Sequence, residues 1–461
     1  MTPDISYEFP GGFPTDETIT AAYDAADLVR AITCYKHFFP AVSGMAILSG
    51  TTAVGIEPNR VFGTMDTRPG QVGFTLNSDT PYAPVLLDLA AGPLVVTVPP
   101  GPIVGASLNA DQSWIADIGI PGADAGHGGR HIFVGPGFDG VVPDDGFVHH
   151  PLGDRVVVGL RAIPQHGDVT AAVDLLRSVR VSPLRDDSAW EQPTWVDLTG
   201  KPQDTTPMSV QGTFDYWKLV HDYVASEPIH PDDRAYIGEL AVLGIRGDAP
   251  FAPDDRLTRI LTTASREADA QLRVQSLADR RPDRVVWSDR QWEWVTLRPE
   301  NANFEVDGHI DVDARETWFY QAIASSPVMF RRQAGTGSLY WFVARDATGA
   351  YLDGGRCYRL RVPLPVPAGL FWSLTVYDAE TRSQIDTDQG AAAVRSLFEL
   401  DGKLDGNHVD IAFGPQHAET DAAAWVQTIP GRGWFAYFRI YGPTVAAFDG
   451  GWTLDDVAAL G

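Results

Sequence analysis

Apolar positions recur with two different periods along the chain, and the change of period divides it into regions. Between residues 18 and 39 they recur at helix-like spacing, which predicts a helix that ends at Pro40. After Pro40 the pattern changes to short apolar runs bounded by Gly and Pro, such as LVVTV at 94–98 and RVVVGLR at 155–161. Short β-branched runs with this punctuation are typical of a sandwich or barrel.

The helical period returns after residue 168. Four amphipathic segments predict helices there, with Asp or Pro near several of their starts: 169–179, 213–224, 231–243 and 253–277. From about residue 285 aromatic and β-branched runs come back and continue to the end. We therefore expect four regions, namely an N-terminal helical segment at 1–45, a β domain at 46–167, a helical region at 168–284 and a second β domain at 285–461.

The two β regions repeat each other. Matching segments occur in the same order in both: VPPG at 98–101 and VPAG at 366–369, then IFVGP at 132–136 and IAFGP at 411–415. Arg161 follows Gly135 by 26 residues, and Arg439 follows Gly414 by 25 residues. Matching order and spacing predict two copies of one β unit. We therefore expect an α+β protein in which a helical segment joins two related antiparallel β-sandwich domains of jelly-roll-like form.

The same stretches resemble two protein families. The C-terminal region is similar to DUF1214 in the segments FWSLTVYD at 371–378, DIAFGP at 410–415, RIYGP at 439–443 and DGGW at 449–452. The N-terminal region resembles DUF1254 in NSDTPY at 77–82, LDL at 87–89, VVTVP at 95–99, GPGF at 135–138 and GLR at 159–161. Together the resemblances imply an N-terminal β domain, a helical middle and a C-terminal β domain. They imply no mechanism.

Composition excludes several classes of protein. The net charge of −25 comes without a basic stripe, which argues against nucleic-acid binding, and no apolar run approaches the length of a membrane span. Residues 1–6 contain neither the basic nor the apolar part of a signal peptide, so we expect none. Two cysteines cannot form a disulfide scaffold. We therefore expect a soluble protein of a reducing compartment, the cytoplasm, that binds neither nucleic acid nor membrane.

Motifs for cofactor, nucleophile or metal chemistry are weak. GPGFDG at 135–140 matches the G-x-G-x-x-G motif of dinucleotide-binding proteins. That motif requires a helix to begin directly after it, and the sequence VVPDD that follows cannot form the first turn of a helix. The sequence has no G-x-S-x-G elbow, and Cys34 reads as a buried thiol of the first helix. The histidines form no H-E-x-x-H motif. We expect neither a cofactor nor a catalytic metal.

Polar residues inside the aromatic strands are the remaining candidates. We expect Asp79 to act as a base, Tyr82 as a proton donor or oxyanion partner, and Arg315 or Arg161 as an anion anchor. A second group is expected to bind substrate: Asn77, Thr80, Arg161, Tyr320, Trp372, Tyr377 and Arg439. A structural interpretation stays open, in which Asp79 caps a turn and pairs with an arginine.

Three functions are consistent with these residues. The first is a cofactor-independent enzyme, a hydrolase or lyase, that uses acid–base chemistry on a small organic molecule in a pocket between the domains. The alternative is a non-catalytic protein that binds a small molecule or a carbohydrate. The third is a structural subunit whose surfaces are buried in a homo-oligomer. A closed pocket that holds Asp, Tyr and Arg within hydrogen-bonding reach favours the first.

Overall fold

The computed structural model describes residues 7–66, 68–185, 188–335, 337–417 and 421–460. The first six residues, on which the expectation about a signal peptide rests, lie outside this part of the chain. The described residues form eight α-helices: α1 (Asp16–His37), α2 (Phe39–Ala53), α3 (Val169–Arg177), α4 (Tyr216–Ser226), α5 (Arg234–Val242), α6 (Asp255–Leu277), α7 (Val312–Gln321) and α8 (Pro327–Phe330).

Strands are distributed over both halves of the chain. The first half contains β1 (Val61–Thr64), β2 (Gln71–Val72), β3 (Tyr82–Asp88), β4 (Leu94–Val98), β5 (Ile103–Asn109), β6 (Trp114–Gly119), β7 (Gly129–Phe133), β8 (Phe147–His149), β9 (Arg155–Ala162), β10 (Arg180–Pro183), β11 (Thr194–Asp197) and β12 (Gln203–Asp204). The second half contains β13 (Glu293–Trp294), β14 (Glu305–Val306), β15 (His309–Ile310), β16 (Ser338–Val343), β17 (Tyr358–Pro363), β18 (Ala368–Asp378), β19 (Ala393–Arg395), β20 (His408–Gly414), β21 (Ala424–Gln427), β22 (Trp434–Pro443) and β23 (Ala458–Ala459).

The N-terminal sandwich consists of two four-stranded sheets. Their strand orders are β3-β9-β5-β6 and β10-β4-β7-β8, and all pairs are antiparallel except β7 with β8. Apolar residues on the facing sides of the two sheets form one continuous core, in which Val85, Val158 and Leu160 meet Val96 and Phe133. This core is the physical reason for the alternating pattern of β9, since every second residue of that strand is buried in it.

The C-terminal sandwich has the same topology. Its sheets have the orders β13-β16-β22-β18-β19 and β21-β20-β17-β23. Apart from the extra edge strand β13, each strand has a counterpart in the N-terminal sandwich: β16 for β3, β22 for β9, β18 for β5, β19 for β6, β17 for β4, β20 for β7, β21 for β8 and β23 for β10. Even the parallel pair recurs, because β20 pairs with β21 in parallel. The α+β fold with two related sandwich domains is confirmed.

The helices largely follow the predicted segments. Helix α1 begins after Thr15, whose hydroxyl accepts a hydrogen bond from the Thr18 amide, and helices α3 to α6 lie within one to three residues of the predicted starts and ends. The prediction that β structure begins directly after Pro40 is wrong. A second helix, α2, starts at Phe39 with Pro40 in its first turn, where the missing amide hydrogen is not needed, and it runs to Ala53, past the boundary expected at residue 45.

Two further features depart from the sequence analysis. Helix α7, with Arg315 and Tyr320, lies inside the region expected to be a β domain. Strands β11 and β12 of the expected helical region pair in parallel with β1 and β2, so this region is joined to the N-terminal sandwich by backbone hydrogen bonds. Within the described ranges, no helix has the length and apolar character needed to cross a membrane.

Candidate functional site

A cavity of about 1110 Å³ lies between the two sandwiches. Its two main walls are the outer faces of the equivalent sheets β3-β9-β5-β6 and β13-β16-β22-β18-β19. Because side chains alternate across a strand, each sheet turns one face to its own sandwich core and the other to the cavity. Residues on the outer faces therefore determine the volume and the chemistry of this space.

The N-terminal wall is centred on β9. Val157, Gly159 and Arg161 of this strand line the cavity, whereas Val158 between them belongs to the sandwich core. A Cβ atom at Gly159 would meet no atom closer than the Ala106 carbonyl oxygen, 3.9 Å away. Small residues at the middle of the wall thus leave open space, and Arg161 projects its charge into that space from one end.

The C-terminal wall is centred on β22. Tyr437, Arg439 and Tyr441 line the cavity, and Phe438 and Ile440 alternate with them in the sandwich core. The outer face of this wall is therefore more aromatic and more polar than the wall built by β9.

Strand register aligns one tyrosine with one arginine in each wall. Tyr82 of β3 pairs with Arg161 of β9, and Tyr340 of β16 pairs with Arg439 of β22. All four residues line the cavity. Since β3 and β16 occupy equivalent places in the duplicated sandwiches, the two Tyr–Arg pairs are equivalent positions of the repeat.

The remaining side of the cavity is closed by the helical region. Ile47 of α2, Trp318 of α7 and Met329 of α8 line it. Three apolar lining residues are exposed to solvent and therefore mark the rim, with relative exposures of 47%, 63% and 63%: Ile120, Leu370 and Val445. The cavity is thus a mainly aliphatic space with an apolar entrance.

Arg161 carries a positive charge without a carboxylate partner. In the part of the chain that the structure describes, no Asp or Glu oxygen lies within 4.0 Å of its guanidinium nitrogens. The guanidinium carbon lies 5.8 Å from the centre of the Tyr82 ring. Burial acts to lower the pKa of Arg161, but Tyr82, Tyr340 and Tyr441 raise it above its ordinary value. Arg161 therefore stays charged at the surface of an apolar cavity.

Arg439, in the equivalent position, is fully engaged. Its Nη1 donates a hydrogen bond to the Thr375 hydroxyl at 3.0 Å, and its Nη2 donates to the Thr75 carbonyl at 3.1 Å and the Tyr377 hydroxyl at 2.6 Å. Only 3% of the residue is exposed. Burial acts to lower the pKa of Arg439, but Tyr377 and the neighbouring charge of Asp79 raise it above its ordinary value. Arg439 thus connects the segment around Thr75, which precedes β3, to the C-terminal sandwich by a hydrogen bond.

Asp79 lies directly behind the C-terminal wall. Its Oδ2 accepts hydrogen bonds from the Ser373 hydroxyl at 2.8 Å and the Tyr441 hydroxyl at 2.7 Å. Its Oδ1 is buried and has no hydrogen-bond partner among the described residues. Burial and the charge of Asp79 raise the pKa of Tyr441 well above its ordinary value. Tyr441 is therefore a neutral donor that separates the Asp79 carboxylate from the cavity.

The turn that contains Asp79 is organised by Asn77. The Asn77 Oδ1 accepts hydrogen bonds from the amides of Asp79 at 2.9 Å and Thr80 at 3.3 Å, so Asn77, rather than Asp79, caps the turn. The Asn77 amide donates to the Tyr82 hydroxyl at 3.1 Å. Asn77, Thr80 and Tyr82 all line the cavity. The structure therefore brings four of the expected N-terminal residues, these three and Arg161, to one wall.

Two expected residues of helix α7 lie elsewhere. Arg315 is buried among the helices, where its Nη1 donates to the His37 carbonyl at 3.0 Å. Tyr320 is also buried there, with the Arg382 guanidinium 4.0 Å from its ring centre. Neither residue lines the cavity, so the expected partnership of Arg315 with Asp79 and Tyr82 is wrong. A helix was not expected at this point, and its position decides where both side chains lie.

Two expected residues of β18 also lie outside the cavity. Trp372 points into the C-terminal sandwich core and stacks on Phe438, with ring centres 5.2 Å apart. Tyr377 faces the other way but is covered by Arg439, and its hydroxyl donates to the Leu76 carbonyl at 2.8 Å. Trp372 therefore supports the fold, and Tyr377 supports the wall from behind.

Sequence analysis missed Tyr340 and Ser373, and it singled out Tyr441 among the polar residues of the aromatic strands without assigning it a role. Tyr340 lines the cavity, Tyr441 joins the cavity to Asp79, and Ser373 is the second donor to that carboxylate. The repeat contains a signal for Tyr340, because a tyrosine that precedes its arginine in a neighbouring strand occurs in both copies. No comparable signal exists for Ser373, whose contact with Asp79 spans 294 positions in the sequence.

The described residues contain no group of three or more His, Cys, Asp or Glu side chains arranged to hold a metal ion.

Residues 60–183 match the family described as protein of unknown function DUF1254, and residues 337–445 match the one described as protein of unknown function DUF1214. No curated protein matches the chain.

Two solved structures are similar to this one. The VPA0106 protein from Vibrio parahaemolyticus aligns with a TM-score of 0.57 and 15% identity, over 94% of this chain and 100% of that chain. A putative uncharacterized protein from Burkholderia cenocepacia aligns with a TM-score of 0.40 and 11% identity, over 96% of both chains. The first likeness shows a shared fold. Together with the two family matches, it leads to the conclusion that the chain belongs to the proteins that carry an N-terminal DUF1254 domain and a C-terminal DUF1214 domain.

Proposed function

We propose that this protein binds a small organic molecule in the cavity between its sandwiches, and that Arg161 holds an anionic group of that molecule. The observation that carries the proposal is the Arg161 guanidinium, which borders a cavity of about 1110 Å³ without a carboxylate partner among the described residues. Buried charges in proteins are normally paired, because an unpaired charge loses hydration without compensation. A bound anion would supply the missing partner.

The internal repeat strengthens this proposal. Arg439, at the equivalent position, commits three of its five N–H donors to Thr375, Thr75 and Tyr377. Arg161 keeps a planar set of donors that can form two parallel hydrogen bonds with a carboxylate or a sulfonate. One of the two equivalent arginines supports the scaffold, and the other is available for binding.

Replacing Arg161 with methionine is expected to weaken binding of the anionic fluorophore 1-anilinonaphthalene-8-sulfonate by about 10- to 100-fold, since a charge-assisted hydrogen bond contributes about 1.5–3 kcal/mol. The measurement is a fluorescence titration of wild type and variant. Arg246→Met is the matched control, because Arg246 is exposed and pairs with Asp248 on the surface.

A second variant tests the location of binding. Ala106 lines the cavity from β5, so Ala106→Trp fills part of the space and is expected to reduce fluorophore binding as well. Equal affinity in wild type, Arg161→Met and Ala106→Trp would refute the proposed site.

A second candidate function is acid–base catalysis by a hydrolase or lyase, as the sequence suggests. The hydrogen bond from Tyr441 to Asp79 favours it. In such a mechanism the Tyr441 oxygen takes a proton from the bound molecule while its own proton passes to Asp79 Oδ2, so the buried carboxylate acts as base through the tyrosine. Asp79 itself is not in the cavity lining, which is why binding is the first proposal.

This second candidate is tested with any small molecule that mass spectrometry detects in the purified protein, by following its conversion. We expect Asp79→Asn and Tyr441→Phe each to slow its conversion at least about tenfold, a modest loss for removal of a general base. Asp79→Asn should keep its melting temperature within a few degrees, because the asparagine carbonyl can still accept both hydroxyl donors. Tyr441→Phe should lose about 1–3 kcal/mol of stability, because the buried Asp79 Oδ2 loses one donor, and it should remain folded. Tyr23→Phe on the surface of α1 is the control. Unchanged conversion in both site variants would exclude the relay.

A further inference from the structure

The shape and lining of the cavity define a ligand more narrowly, on the basis of the proposed function. Small-molecule sites in proteins usually measure about 300–1,000 Å³. The interdomain cavity, at about 1110 Å³, is slightly larger than the upper limit of this range. A molecule of a few carbon atoms would leave most of the apolar surface in contact with water, so the volume indicates a long or bulky ligand.

The lining is mostly aliphatic and conformationally adaptable. Six of its aliphatic and thioether members illustrate how they come from all sides of the cavity: Ile47, Met65, Val104, Val157, Ile323 and Met329. Met65 and Met329 have unbranched, flexible side chains that can adapt to an extended hydrocarbon, whereas sugars require many fixed polar partners. The exposed rim residues Ile120, Leu370 and Val445 continue the apolar surface to the entrance.

Charge in the lining is limited and asymmetric. Three arginines line the cavity. Arg439 makes three hydrogen bonds to the protein, and Arg331 is exposed to solvent and lies near Asp117, whose carboxyl pKa is raised by burial. Arg161 differs from both: it is half-buried, it lies near Tyr82 and Tyr340, and no described carboxylate oxygen is within 4.0 Å of its guanidinium nitrogens. One guanidinium neutralises one negative charge, whereas a phosphate monoester carries about 1.5–2 charges at neutral pH.

We infer that the ligand is a long-chain monocarboxylate, with its carboxylate on Arg161 and its hydrocarbon chain along the aliphatic lining. The carboxylate accepts hydrogen bonds from the guanidinium and from the neighbouring tyrosine hydroxyls. The chain contributes affinity in proportion to the surface that it removes from water.

Displacement of 1-anilinonaphthalene-8-sulfonate from delipidated full-length protein tests the inference. The competitors are octanoate, dodecanoate, palmitate, hexadecanol and palmitoyl lysophosphatidate. From octanoate to palmitate we expect affinity to rise about fourfold for each added methylene until the cavity is filled. Palmitate should bind at least about tenfold more tightly than hexadecanol, and Arg161→Met should remove that difference, while Arg246→Met keeps it.

Three results would overturn the inference: octanoate as strong as palmitate, hexadecanol as strong as palmitate, or lysophosphatidate stronger than both. Arg161→Lys retains the charge and should retain a preference for palmitate over hexadecanol, so it serves if the methionine variant does not fold. The same assay distinguishes a failure of the proposed function from a failure of the proposed ligand class. Fluorophore binding that is insensitive to Arg161→Met and Ala106→Trp contradicts the proposed function, whereas site-dependent binding that no carboxylate displaces contradicts only the ligand class.

Discussion

Replacing Arg439 with methionine is expected to lower the free energy of unfolding by about 3–5 kcal/mol, because three hydrogen bonds from a buried charged donor are lost and each contributes about 1.5–3 kcal/mol. The substitution removes the donors to the Thr75 carbonyl, the Thr375 hydroxyl and the Tyr377 hydroxyl. Methionine fills much of the volume but offers these buried acceptors no donor.

Denaturant titration followed by tryptophan fluorescence measures this loss. Arg161→Met is the control, because it exchanges the same residue types at the equivalent strand position and removes no ion pair with a described residue. We expect that control to stay within about 1 kcal/mol of wild type. Equal losses in the two variants would show that the two arginines have not diverged in role.

Replacing Gly44 with alanine is expected to destabilise the protein by about 3 kcal/mol, at the upper end of the usual range for overpacking. Gly44 lies in helix α2, and a Cβ atom there would approach the Ala110 carbonyl oxygen to 1.8 Å. Gln112 reinforces this contact, since its Nε2 donates to the Pro40 carbonyl and its Oε1 accepts from the Ala324 amide. A displacement of α2 therefore disturbs the contact of Gln112 with Ala324, a residue that lines the cavity.

Gly238→Ala provides the matched control in thermal or chemical denaturation. Gly238 lies in helix α5, is exposed, and has open space where its Cβ would be. Alanine there is expected to raise the free energy of unfolding by about 0.5–1 kcal/mol through helix propensity. Opposite signs for the two substitutions would confirm the close approach at Gly44, and stabilisation by Gly44→Ala would contradict it.

The duplicated topology could be predicted from sequence because its signals are local. VPPG at 98–101 and VPAG at 366–369 occupy equivalent turns that lead into β5 and β18, and Arg161 and Arg439 lie on the equivalent strands β9 and β22. Period-two burial then explains why both arginines reach the cavity. The order of regions follows from the same local periodicity.

The site could be predicted only in part, because side-chain direction depends on register and on distant contacts. Trp372 was expected to bind substrate, but its position in the alternation of β18 directs its side chain into the core of the C-terminal sandwich. Arg315 looked like an anion anchor, but helix α7 carries it into the helical core. Ser373 gave no signal, since only the fold brings it to Asp79.

The two walls of the cavity come from equivalent halves of a duplicated chain. A protein with a single copy would supply one wall, and two molecules would have to associate face to face to enclose the same chamber. Covalent fusion of the copies makes that association intramolecular and relieves the halves of remaining identical. The two equivalent arginines can then differ in role: Arg439 stabilises the fold through its hydrogen bonds, and Arg161 stays available to a bound molecule.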